Sequence, residues 1–294
     1  MPRITVKIGD RSAISDAVGA FHVENIGDGS LSAILTGASV VERRMIIASP
    51  GEPLRVSLIP VTFDLAAFDQ MFRGTDQLQR WTSAPTLVVL TKVMNFETGF
   101  GDTDEYHATS EQLTEAETTL LIEQLTEALT TLTGNTFTSF VSVEREGPAA
   151  GAKVSMRRAG KIVVGRYNGL QALANTIGKG RWATDSHGQV TGGVVYLDRD
   201  FDKSSELRRL LRTHELGHTL GYMHVTSRTS IMNPAIGPDV TAFDRQGALI
   251  AFQRQPGNLS PDADPTSEPA PRSGGGIFGF APGAQPTVWA EAIN

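Results

Sequence analysis

Residues 214–224 read HELGHTLGYMH, with His at positions 1, 5 and 11, Glu at position 2 and Gly at position 8. At about 100° per residue, Leu207, Leu210, Leu211, His214 and His218 fall on one helical stripe, so two imidazoles project side by side from the buried face. Ligands at i and i+4 can grip one metal ion. Glu215 sits beside that stripe, where a carboxylate reaches a metal-bound water without binding the metal, the place of a general base. Gly221, with no Cβ, can take a positive φ and end the helix, which lets His224 swing back as a third ligand. Three neutral imidazoles leave one position of a tetrahedral Zn²⁺ open to water, the arrangement of a catalytic site. A chance match to all the defined positions is of order 10⁻⁵ per chain.

Eight residues beyond His224, Met232 stands in SIMNP, residues 230–234. The eleven-residue motif followed by this methionine resembles the metzincin superfamily of zinc endopeptidases, most closely its bacterial matrixin-type members, over roughly residues 85–255. The resemblance implies an α+β, zincin-like metalloprotease domain with a mixed twisted sheet, an active-site helix, a Met-turn and a C-terminal helix. It implies His214, His218 and His224 as ligands of one catalytic Zn²⁺, Glu215 as general base, and Met232 as the Met-turn beneath the metal, with Gly221 in structural support. It also implies that GGVVYLD (192–198) is an edge strand aligning a peptide or protein substrate, that VTAFDRQGALIAFQR (240–254) is the C-terminal helix, and that the enzyme is secreted or periplasmic. Val225 follows the third histidine where the best-known matrixins carry Ser, and a cysteine switch is impossible because the chain has no cysteine.

Upstream, ITVKI, AFHVEN, SLSAILT, ERRMIIAS and PLRVSLIPV read as short strands between Gly, Asp and Pro turns, a small all-β, sandwich-like module over residues 1–62. DLAAFDQMFR, capped by Asp64, predicts a short amphipathic helix in a connector over 63–84. The catalytic domain over 85–255 opens on the β-branched run TLVVLTKVM, followed by the polar stretch GFGDTDEYHATS, read as a loop. Thr114 and Glu117 form a T-x-x-E capping box for a helix whose buried face is Leu121, Leu125, Ala128 and Leu132, stopped by Gly134-Asn135. FVSVERE, KIVVGRY and GGVVYLD predict further strands, with a helix near GLQALANTI. Seven of the 15 prolines lie after Gln255 together with a GGG run, so 256–294 reads as a Pro/Gly-rich tail or strap outside the core.

Lys plus Arg at 26 against Asp plus Glu at 32 gives a net charge of −6, which offers no broad basic face for nucleic acid. No apolar run of about 18 residues predicts a membrane span, and no apolar stretch near Met1 predicts a signal peptide. The absence of cysteine leaves metal binding to His and carboxylate. Asp198, Asp200 and Asp202 alternate, but Lys203 and Arg209 stand where a calcium loop needs Gly and Glu, so they read as a helix start with Asp202 or Ser204 as cap. His187 beside Asp185 reads as a loop histidine, with an accessory Ca²⁺ or Zn²⁺ site as the other reading. His22 and His107 lack ligand-spaced companions. Arg208, Arg209 and Arg212 read as a solvated helix face, and Tyr222 as core. Two functional alternatives stay open: a binding or adhesion protein with a vestigial zinc site, and a zinc amidase acting on a non-peptide bond. Oligomeric state leaves no trace in the sequence.

Overall fold

The apolar runs of the sequence become strands with both faces covered, and the polar residues between them make the connections. The computed structural model describes residues 2–47, 54–74, 76–97, 100, 105–266 and the backbone of 287–293. In chain order the elements are β1 (Thr5–Ile8), β2 (Arg11–Ile14), β3 (Leu31–Gly37), β4 (Val40–Ile47), α1 (Leu65–Phe72), β5 (Thr86–Leu90), β6 (Lys92–Asn95), β7 (Glu105–Gln112) and α2 (Glu115–Leu132). There follow β8 (Val143–Glu146), β9 (Lys153–Ser155), β10 (Lys161–Asn168), α3 (Leu170–Ala174), β11 (Gly178–Thr184) and β12 (Val190–Asp198). The remainder is α4 (Arg199–Ser204), α5 (Arg208–Thr219), α6 (Ala242–Phe252) and β13 (Thr287–Ile293).

The large sheet is mixed, in the order β13-β11-β12-β10-β6-β7-β9. β10 pairs in parallel with β12 on one side and, on the other, with β5 at residues 161–164 and with β6 at 167–168. One edge of β10 is thus shared by two strands. The sheet branches and curls there, with β8 extending β5 and β7–β9 extending β6. Alternate residues feed opposite cores. Leu87, Val89, Ile162, Val164, Val195 and Leu197 pack toward α1, α2, α5 and α6, whereas Val88, Leu90, Val163, Tyr167, Val194 and Tyr196 close the other face.

Several expectations change. GGVVYLD is not an edge: β12 lies between β10 and β11, and it is antiparallel β11 that faces outward, toward β13. An apolar run reads alike in an edge strand and an interior one, so periodicity could not separate them. The polar stretch expected as a loop contains β7, where Tyr106 and Ala108 point inward and alternate with exposed Glu105 and half-buried His107 and Thr109. Residue 99 and residues 101–104 of that stretch lie outside the described residues. The N-terminal module forms one antiparallel sheet, β2-β1-β3-β4, not a sandwich. AFHVEN and PLRVSLIPV supply no strand; Phe21, Val23, Val56 and Leu58 instead pack on its small core.

The segment expected as a connector, 63–84, belongs to the main core. Asp64 caps α1, accepting from the Ala67 amide, and Phe68, Met71 and Phe72 are fully enclosed. The expected tail begins as a buried strap: Asn258 and Asp262 are wholly enclosed, Asp262 pairs with Arg43 at 2.8 Å and with Arg254 at 2.7 Å, and Arg73 donates to Asn258 at 2.5 Å. Polar residues are buried here because each meets a charge partner. Residues 267–286 lie outside the described residues, and 287–293 form β13. No helix among the described residues is long and apolar enough to cross a membrane.

Candidate metal centre

α5 carries His214, Glu215 and His218; of the expected leucine stripe Leu211 is buried, Leu210 is half-buried and Leu207, just before the helix, is exposed, and a buried ion network supplies the rest of the hold. Arg212, expected on a solvated face, is fully enclosed and donates twice to Asp202, at 2.6 and 2.8 Å. Asp202 is no helix cap. That role falls to Asp198 at the start of α4, while Asp202 also accepts from Arg166 at 2.6 Å. The predicted capping box joins this network, since Glu117 accepts from Thr114 and from Arg166. α5 is therefore fixed to α2, α4 and β10 by charge-assisted bonds. Arg209 pairs with Asp239, and Arg208 donates to the Lys203 carbonyl.

α5 ends at Thr219, and Gly221 follows with φ +100. A Cβ there would lie 2.5 Å from the Gln79 carbonyl oxygen, so glycine is required for both its conformation and its space. The turn brings His224 back to the helix. His214 Nε2 lies 2.9 Å from His218 Nε2 and 3.1 Å from His224 Nε2. His214 and His218 are buried, and His224 is half-buried.

The outward nitrogens are oriented from behind. His214 Nδ1 donates to the Ile231 carbonyl and His218 Nδ1 to the Tyr222 carbonyl, both at 2.7 Å. Burial pushes the His214 imidazole down to about 3, against the opposing Ile231 bond, and drives His218 well below its ordinary value. Burial brings His224 down to about 4. All three are neutral at pH 7. With Nδ1 protonated on the first two, their Nε2 lone pairs point into the space that His224 Nε2 also faces. Three converging nitrogens form a set that can hold a metal ion, the one such group among the described residues.

Met232 is fully buried, with its thioether packed on α5 at Gly217. Its strand of chain is held by α6, where Asp244 accepts from Ser230 Oγ at 2.5 Å and from the Ile231 amide at 3.1 Å. The expected helix at 240–254 thus fixes the carbonyl that orients His214. Tyr222 is core, its hydroxyl donating to the Leu132 carbonyl. Glu215 is fully buried beside Gly178 of β11, where an added Cβ would stand 2.5 Å from its Oε1. Trp182, also on β11, lies parallel to the His218 ring, with centroids 6.0 Å apart and 3° between planes. Its indole N–H donates to Gln79 at 2.6 Å. Trp182, Asp244 and Gln79 carry no spacing signal that ties them to the motif, and so escaped the sequence reading.

The remaining histidines lie elsewhere. His187 sits in a turn where Asp185 accepts from the amides of His187 and Gln189, both at 2.9 Å. His107 meets Glu97 at 3.2 Å, and His22 meets Glu24 at 3.7 Å. No family model, curated protein or solved structure matches the chain.

Proposed function

We propose that the protein is a zinc-dependent endopeptidase of metzincin type, with a zincin-like catalytic unit built on α5, the 230–232 turn and α6. The observation that carries this reading is the convergence of three neutral imidazoles, two of them on the helix that also carries the buried Glu215. The nitrogens fit the ion: Zn–N bonds of about 2.0–2.1 Å in a tetrahedron place ligand nitrogens about 3.3 Å apart, close to the 2.9 and 3.1 Å found here. His214, His218 and His224 would hold a Zn²⁺, which when bound would supply Lewis acidity and lower the pKa of water so that hydroxide is available at neutral pH. Glu215 takes a proton from the attacking water on a carboxylate oxygen and returns it to the leaving amine. The carbonyls of Ile231 and Tyr222 hold the imidazoles of His214 and His218 in the required tautomer. An extended peptide is aligned by backbone pairing with β11, the strand packed against α5, rather than with β12.

The test is elemental analysis followed by turnover of a quenched peptide library. About one zinc per chain, cleavage abolished by a chelator and cleavage restored by zinc support the reading. A folded chain that takes up zinc stoichiometrically and cleaves no peptide would overturn it in favour of a binding protein or an amidase acting on a non-peptide bond.

A further inference from the structure

The strand that lies against the metal centre is itself paired along its outer edge. β13 runs antiparallel to β11, with Gly178 opposite Ile293, Gly180 opposite Glu291 and Trp182 opposite Trp289. At Gly178 and Gly180 of β11 an added Cβ would run into Glu215 and His218 respectively, and Trp182 lies parallel to the His218 ring. Cα atoms of β13 come within 8 Å of those of α5. In the strand order β13 is outermost, so β11 would be the edge of the sheet without it.

A strand edge presents one row of N–H and C=O groups and can pair with one chain at a time. We infer that residues 287–293, TVWAEAI, are an intramolecular occupant of the peptide-docking edge of β11, and that an extended substrate must displace them. The inference rests on the peptidase reading for its consequence, and on the pairing alone for the competition itself. A tethered segment faces its site at an effective concentration on the order of millimolar, so a free peptide that binds weakly loses to it.

The test uses the full chain with Ala290→Pro and Glu291→Pro together. Adjacent residues of a strand direct their N–H groups to opposite edges, so the pair of prolines removes one donor facing β11 whichever way the strand is turned. Fluorescein-labelled TVWAEAI peptide is titrated into wild type and variant, and quenched-peptide kinetics are recorded on both. The expected result is at least a tenfold gain in peptide affinity, with a fall in KM of similar size and an unchanged kcat. A strand that only shielded the edge for stability would lower the melting temperature and leave KM where it was.

A folded variant with unchanged peptide affinity overturns the inference. Gain of peptide binding with no hydrolysis in either protein leaves it standing and removes the peptidase reading instead. Amide hydrogen exchange on wild type needs no variant: with β13 seated, every amide from 179 to 183 is protected, whereas alternating fast exchange along β11 would show an open edge and overturn the inference.

Discussion

Gly180 of β11 lies so close to His218 of α5 that a side-chain carbon on the glycine would collide with the histidine Cβ and stand 2.6 Å from the Glu215 carbonyl oxygen. The sheet therefore meets the histidine-bearing helix backbone to backbone, and any increase in their separation moves two of the three imidazoles relative to His224. Gly180→Ala is expected to weaken zinc retention by about 10- to 100-fold, the size of effect seen when support behind metal ligands is lost. Competition with a calibrated chelator measures it. Zinc affinity equal to wild type would mean that strand–helix spacing does not set the site.

Asp202 is the hub that anchors α5, fully enclosed between Arg166 and Arg212. Removing one partner from a buried charge cluster leaves the others uncompensated, at a cost of about 3–5 kcal/mol. Asp202→Ala should therefore lower urea stability by that amount. A loss under about 1 kcal/mol would show that the network adds little to the hold on α5.

Glu117 links the α2 cap to the same network and yields a pH signature. Burial raises its pKa, but the Thr114 amide, Arg166 and the Thr114 hydroxyl outweigh that and hold it down to about 2 from 4.5. A folded-state pKa below the unfolded one contributes stability that is complete above about 4.5 and is lost as pH falls toward 2. Glu117→Gln should cost about 2 kcal/mol at pH 6, and the difference from wild type should shrink through that window. A difference constant from pH 6 to 2.5 would contradict the assignment.

What could be read from the sequence were features written in short-range spacing. The i, i+4 histidines, Gly221, the Thr114–Glu117 box and the stripe of α2 each depend on residues within one or two helical turns, and each is found as expected. What escaped depends on partners far along the chain. Arg212 reads as solvated until Asp202 and Gln124 accept from it in the interior. Asp262 reads as tail until Arg43, 219 residues away, meets it. That β12 lies inside the sheet, between β10 and β11, follows from sheet order, which side-chain pattern does not encode. Trp182 and Asp244 reach the histidines only through tertiary contacts.

The most direct test of the central claim is peptide hydrolysis by wild type and Glu215→Gln at equal, measured zinc content. Glu215 is assigned to proton transfer and not to metal binding, so the variant should hold zinc as wild type does while kcat/KM falls by about 10² to 10⁴, the usual contribution of a general acid–base group. Retention of more than about a tenth of the wild-type kcat/KM with zinc fully bound would contradict the account.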